Sequence, residues 1–165
     1  PALARSRGGR IYGYILGYSL VGKSSKGDGS EDLDRSIKMA LKGREGPSID
    51  YLGGAGNSSK VLDALEAKGV KKTFPTQYLQ IPVSSIKSMV GEAIASGGMR
   101  MVANVLSMEN GFIPPTINYL NPDSSCDLHY VVTQRLDRKI QTILHLGISP
   151  ENCFSSILVG VEWNG

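Results

Sequence analysis

The stretch that decides the fold is residues 81–92, IPVSSIKSMVGE, in which a short apolar segment runs directly into a lysine and a glycine. A second stretch, residues 49–59 (IDYLGGAGNSS), passes in the same way from an apolar segment into a glycine-rich loop. Each apolar segment predicts a buried strand, and each loop leads towards a helical pattern. Repeated units of this kind are typical of a layered α/β protein.

The rest of the chain extends this α/β pattern. The predicted strands cover residues 11–21, 48–52, 78–85, 128–133, 140–146 and 154–163. The predicted helices run from an N-cap at Ser30 to Gly43, from an N-cap at Ser58 or Ser59 to Gly69, and over residues 92–107. We therefore expect one domain over residues 1–165, built on a mixed β-sheet flanked by helices.

Composition excludes several classes of function. The net charge of +3 comes from scattered basic residues, so no nucleic-acid surface is expected. No apolar run is long enough to span a membrane, and no signal peptide is recognisable, so we expect a cytoplasmic protein. Cys126 and Cys153 lack metal-site spacing, so neither a metal site nor a cofactor is expected.

The glycine-rich loop at residues 53–60 (GGAGNSSK) raises a nucleotide-binding alternative, because such loops can cradle phosphates with backbone N–H groups. The Walker pattern is not met, since Lys60 is followed by Val61. The dinucleotide pattern fails as well, because Ser59 stands where the third glycine is required. A small-ligand or nucleotide-binding α/β module nevertheless stays open as an alternative hypothesis.

Residues 81–92 and 49–59 resemble the C-terminal half of the β-ketoacyl synthases, the carbon–carbon bond-forming enzymes of fatty-acid and polyketide assembly. The resemblance extends, in the same order as in the family, over residues 2–12, 15–18, 37–41, 112–118 and 121–123. It implies a thiolase-like layered α/β/α fold, of which this chain is the C-terminal half. Residues 1–10 would then be the basic crossover or linker, and the half with the nucleophilic cysteine is not in this chain.

The resemblance also locates what is missing. In the family, each of the two stretches delivers a catalytic histidine, and these positions hold Ala55 and Glu92 here, while Lys87 is retained. Alanine offers no side-chain donor, and an ionised Glu92 would repel the malonyl carboxylate and the enolate. By typical losses of oxyanion donors, each change would cost roughly 100- to 1000-fold in rate. Ala55, Lys87 and Glu92 are therefore predicted to be vestigial.

Two further segments of the resemblance are altered. The family's Gly-Phe-Gly-Gly gate loop corresponds to a degenerate sequence consisting of Pro150, Glu151, Asn152 and Cys153. No histidine base is predicted beside Cys153, so it is not expected to be a nucleophile, and we interpret His129 and His145 as surface or edge residues. Asn57 and Ser59 stand where family threonines contact the pantetheine arm. They keep that polar contact or cap the next helix.

Three hypotheses follow. In the first, the chain is a synthase-like subunit without condensation activity of its own, resembling the chain-length factors that pair with an active synthase. In the second, it is the C-terminal part of a larger, active 3-oxoacyl synthase. The third is the nucleotide- or small-ligand-binding module. Whether the protein is an enzyme stays open. The expected partners are an active synthase or an N-terminal half of the same fold, in a homo- or hetero-oligomer, and an acyl carrier protein.

Overall fold

A six-stranded mixed sheet forms the centre of the molecule. The computed structural model describes residues 2–22, 24, 27–42, 49–93, 96–151 and 153–161. The helices are α1 (Ala2–Ser6), α2 (Ser30–Leu41), α3 (Lys60–Thr73), α4 (Lys87–Val90) and α5 (Ser96–Asn110). The strands are β1 (Tyr14–Gly22), β2 (Tyr51–Gly53), β3 (Pro82–Ser84), β4 (Phe112–Ile113), β5 (His129–Tyr130), β6 (Leu136–Asp137), β7 (Thr142–Ile148) and β8 (Cys153–Gly160).

The central sheet has the strand order β1-β8-β7-β2-β3-β5. Strand β8 pairs antiparallel with β1 and with β7. Strand β2 pairs parallel with β7 and with β3, and β3 pairs parallel with β5. A separate two-stranded ribbon joins β4 and β6. The predicted mixed sheet flanked by helices is confirmed.

Helices cover both faces of this sheet. Successive side chains of a strand point to opposite sides, so a strand of apolar residues presents an apolar face on each side. Leu52 and Leu144 pack with the apolar residues of α2 and α3 on one face. Their neighbours Tyr51 and Ile143 pack on the other face with Met108 of α5. The result is the layered α/β/α arrangement that the sequence predicts, with β2 and β7 buried between two helical layers.

The helix predicted for residues 92–107 corresponds to α5, which begins at Ser96 and ends at Asn110, later at both ends than predicted. A single turn, α4, follows β3 and ends at Gly91, whose positive φ of 81° a residue with a side chain rarely adopts. Glu92 lies between α4 and the start of α5 at Ser96. Ile94 and Ala95, which were expected in this helix, lie outside the described residues.

Other helices and strands begin or end at residues different from those predicted, for local reasons. Gly69 does not end α3, which continues to Thr73. Ser30 is the first residue of α2 rather than its cap, and that position is taken by Gly29, with φ 95°. The strand predicted from residue 78 starts only at Pro82, because residues 74–80 form turns closed by local backbone bonds such as Tyr78 N–H to Phe74 O. The predicted ends at Gly43, Ser48 and Trp163 lie outside the described residues.

The predicted crossover segment, residues 1–10, contains the short exposed helix α1. In the part of the chain that the structure describes, no helix combines the length and the apolar character needed to cross a membrane.

Candidate functional site

A cavity of about 590 Å³ opens where the parallel strands β2 and β3 end. Its walls come from the loop after β2, the first turns of α3, the end of β3, helix α4 and residues 116–123. The carboxyl ends of neighbouring parallel strands meet at one edge of a sheet, which is the usual place for a ligand site in an α/β protein. The two stretches singled out in the sequence therefore meet at this cavity.

Ala55 lies in the loop after β2 but contributes no functional group to the cavity. Its side chain is buried in the core shared by α2, α3 and the sheet. Its backbone N–H donates to Oε1 of Glu66 at 2.6 Å. Gly54 and Gly56 on either side of it line the cavity instead.

Lys87 and Glu92 form an ion pair in the cavity wall. Lys87 begins α4, and its Nζ lies 2.6 Å from Oε2 of Glu92. The lysine side chain is only 6% exposed, whereas that of Glu92 is 51% exposed. Partial burial acts to raise the pKa of Glu92, but the hydrogen bond and the charge of Lys87 outweigh it and hold that pKa below its ordinary value. Glu92 is therefore an anion at neutral pH.

Two further carboxylates, Asp63 and Glu66 of α3, belong to the site, and the sequence interpretation missed both. Asp63 accepts the backbone N–H of Asn57 at 3.0 Å. Burial raises the pKa of both carboxyl groups, although backbone N–H donors oppose the shift. In the sequence, a carboxylate in the first turn of a helix, such as Asp63, is also typical of a simple response to the helix dipole. Glu66 lies further along the same helix, where no motif marks it.

The side chains of Asn57 and Ser59 are used to start α3. Ser59 Oγ accepts the backbone N–H of Leu62 at 3.4 Å, and Asn57 Oδ1 accepts that of Ser59 at 3.1 Å. The predicted cap at Ser59 is confirmed. Asn57 lines the cavity, whereas Ser59 is not among its lining residues within the described chain.

The backbone donors of this loop are already occupied, which bears on the nucleotide hypothesis. The N–H groups of Ala55 and Asn57 donate to carboxylates, and that of Gly54 donates to Ser84 O at 2.9 Å. A phosphate cradle needs free N–H groups and no nearby anions. The loop offers neither condition at these positions.

Arg100 of α5 is a buried cation beneath the cavity that the sequence interpretation also missed. Its Nη2 donates to Gly54 O at 2.8 Å and to Leu146 O. These two carbonyls belong to the loop after β2 and to the neighbouring strand β7. Arg100 therefore holds the cavity loop against the sheet.

His145 lies at the centre of β7, so its interpretation as a surface or edge residue is wrong. It is buried, and its Nδ1 lies 2.9 Å from Nδ2 of Asn104 on α5. Burial lowers its pKa to about 3, with the charges of Arg100 and Lys87 acting in the same direction. Its position within the apolar run ILHL was the available signal. His129 is exposed on the edge strand β5, as expected.

The described residues of the degenerate gate segment, Pro150, Glu151 and Cys153, do not line the cavity. Pro150 and Glu151 are exposed in the turn between β7 and β8, and Asn152 lies outside the described residues. Cys153 is exposed at the start of β8 and forms no disulfide. The other thiol, Cys126, is buried at the cavity wall, and burial raises its pKa.

Comparison with known proteins gives a consistent result. Residues 13–120 match the family model described as "Beta-ketoacyl synthase, C-terminal domain". The chain is 34% identical over 153 residues to a putative polyketide β-ketoacyl synthase 1 from Streptomyces halstedii, an alignment that covers 87% of this chain. It covers only 36% of that relative, so the chain spans about a third of the protein it matches.

Two solved structures share the fold. One is a type II polyketide synthase acyl carrier protein in complex with its ketosynthase bound to the hexaketide, with a TM-score of 0.90 and 32% identity over 96% of this chain. The other is the ishigamide ketosynthase/chain length factor, with a TM-score of 0.89 and 25% identity over 98% of this chain. The match covers 41% of the other chain in each case.

Proposed function

Because this chain belongs to the β-ketoacyl synthase family, we propose that it serves polyketide or fatty-acid assembly as a partner that does not itself carry out the condensation. The observation that carries the proposal is the Lys87–Glu92 ion pair beside a loop in which Ala55 has no side-chain donor. Condensation needs hydrogen-bond donors aimed at the oxygen where negative charge develops. In this wall Glu92 only accepts, and the lysine ammonium is already bound to it.

The cavity would then receive an acyl chain on a pantetheine arm without joining it to another unit. Asn57 and Ser88 supply polar groups to its wall, and Val83, Ile117 and Tyr130 supply apolar ones. One solved relative is a ketosynthase/chain length factor, and another holds an acyl carrier protein with its ketosynthase. These relatives support a role like that of a chain-length factor, with an active synthase and a carrier protein as partners.

The extent of the match supports a second proposal, that the chain acts together with an N-terminal half of the same fold. The relatives it matches are more than twice as long. Helix α5 also leaves an apolar face uncovered, with Met99, Val102 and Leu106 between 45% and 60% exposed. A face of this kind marks a contact surface. The N-terminal half would be part of the same polypeptide or a separate subunit. If it is part of the same polypeptide, the whole protein could be a larger, active synthase.

A condensation assay tests the proposal. The protein as its gene encodes it is incubated with acyl- and malonyl-carrier proteins, alone and with an active synthase. We expect no condensation product from the protein alone, because the donor set is incomplete, and a changed product length when the synthase is added. Product formation by the protein alone at the rate of an ordinary synthase would contradict the proposal. The mass of the natural polypeptide separates the one-chain case from the two-subunit case.

A further inference from the structure

The lining of the cavity contains more carboxyl groups than amino groups. Its ionisable side chains with a carboxylate are Asp63, Glu66, Glu92 and Asp123, and those with an amine are Lys60 and Lys87. Arg100 lies beneath the wall, with its guanidinium bound to backbone carbonyls. Burial raises the pKa of Asp63 and Glu66, so the negative charge that a ligand meets comes above all from the exposed carboxylates of Glu92 and Asp123.

The innermost amine of the wall is not available to a ligand. Lys87 is buried and lies 2.6 Å from Glu92, whose own side chain is half exposed at the cavity. Ser96 Oγ contacts the other carboxylate oxygen of Glu92 at 3.4 Å. An entering anion would therefore meet the exposed carboxylate before the ammonium. Like charges brought together in a partly desolvated site repel strongly.

The carboxyl groups of α3 in the lining do not compensate for this repulsion. Asp63 and Glu66 are held by the backbone N–H groups of Asn57 and Ala55. Apolar groups occupy the space beside them, including Val83, Ile117 and Tyr130. This combination favours an uncharged ligand, because a carboxylate placed beside Glu92 would lose its hydration without gaining a cation there. The other lining amine, Lys60, is exposed at the start of α3.

We infer that the cavity admits pantetheine-linked acyl groups that are uncharged and rejects those that end in a carboxylate, with Glu92 as the specificity-determining residue. This inference rests on the proposed pantetheine cavity and goes further, because it names the chemical class of the acyl group. A malonyl group is the smallest carboxylated case. A saturated acyl or polyketone chain belongs to the accepted class.

Binding of three synthetic ligands tests the inference: pantetheine itself, its butanoyl derivative and its malonyl derivative, with an amide in place of the thioester. Titration calorimetry is carried out on the protein as its gene encodes it, with any subunit that co-purifies. We expect butanoyl binding to be at least about tenfold tighter than malonyl binding, which corresponds to roughly 1.4 kcal/mol. The variant Glu92→Gln should bind the malonyl ligand about tenfold tighter than the wild type and the butanoyl ligand unchanged.

The control is Glu109→Gln, which removes one carboxylate from the exposed end of α5, outside the lining of the cavity. It should leave both affinities unchanged. High salt provides a second test on the wild type, because it screens the repulsion between Glu92 and the malonyl carboxylate. The difference in affinity between the butanoyl and malonyl ligands should therefore decrease at high salt, and this test does not require Glu92→Gln to fold. Equal wild-type affinity for the two acyl ligands, or a preference that neither Glu92→Gln nor salt changes, would overturn the inference. If the protein did not bind pantetheine itself, the proposal that this cavity binds pantetheine would be wrong, and the inference about acyl groups would fail with it.

Discussion

At the scale of single residues, the Lys87–Glu92 pair shows how one carboxylate determines the character of the cavity wall. Glu92 offers only acceptor oxygens, and it also engages the ammonium of Lys87 at 2.6 Å. Breaking one partner of a fully buried pair costs about 3–5 kcal/mol. Glu92 is half exposed, so solvent screening reduces that figure here.

The stability of the Lys87–Glu92 pair can be measured directly. Glu92→Gln is expected to lower the free energy of unfolding by about 1–2 kcal/mol, because Lys87 stays buried without its anion. Urea titrations of this variant and of Glu109→Gln make the comparison, since Glu109 is paired with Arg10, whose side chain is 66% exposed and not buried like that of Lys87. A Glu92→Gln variant as stable as the wild type would show that the pair contributes nothing to folding.

His145 makes a second prediction at the residue scale, which concerns pH. Burial holds its pKa near 3 in the folded protein, below the ordinary 6.5. Between these two values the unfolded chain binds more protons at this position, so the contribution of His145 to stability falls as the pH is lowered from 6.5 towards 3. The variant His145→Gln, whose amide can still contact Asn104, should lose stability less steeply over this range.

Urea titrations at several pH values across that range measure the slope. His129→Gln serves as the control, because the side chain of His129 is exposed on the edge strand. An identical slope for His145→Gln and the wild type would refute the assignment of acid sensitivity to this buried imidazole.

At the scale of secondary-structure elements, the close contact of α2 with α3 depends on Gly69. A Cβ at this position would lie 2.7 Å from Cδ2 and 2.9 Å from Cγ of Leu33, a buried residue of the α2–α3 core. Gly69→Ala should therefore destabilise the fold by about 1–3 kcal/mol, although alanine is the better helix former. The matched control is Gly98→Ala in α5, where a Cβ would meet no heavy atom within 4 Å.

The control variant is expected to gain about 0.5–1 kcal/mol from helix propensity. Thermal unfolding of both variants and of the wild type measures these differences in stability. If Gly69→Ala were as stable as Gly98→Ala, the two helices would have to move apart without cost, and the packing argument would be wrong.

At the scale of the whole molecule, the exposed apolar face of α5 is where we expect a partner to pack. Helix α5 packs on the sheet through residues such as Met108, while Val102 on its other side is 60% exposed. The 165-residue chain expressed alone should therefore self-associate at micromolar concentration. Val102→Asp should shift it towards the monomer.

Size-exclusion chromatography with light scattering measures this association. Val61→Asp is the control, because Val61 is 75% exposed on α3, which packs against the other face of the sheet. A clean monomer for the unmodified chain, or equal effects of the two substitutions, would argue against α5 as the contact surface.

The sequence by itself determined the α/β/α architecture, the mixed sheet and the family, because these depend on apolar periodicity and on motifs that are continuous along the chain. It also identified the two stretches that meet at the cavity, with Lys87 and Glu92 in one of them. Only the tertiary structure decided that Lys87 and Glu92 form an ion pair and that Glu66 accepts the backbone N–H of Ala55. It also decided that Arg100 and His145 are buried. Arg100 and His145 contact residues 46 and 41 positions away in the chain. The Lys87–Glu92 and Ala55–Glu66 contacts are closer in sequence, but burial and charge depend on what surrounds a side chain in space, which local sequence patterns do not record.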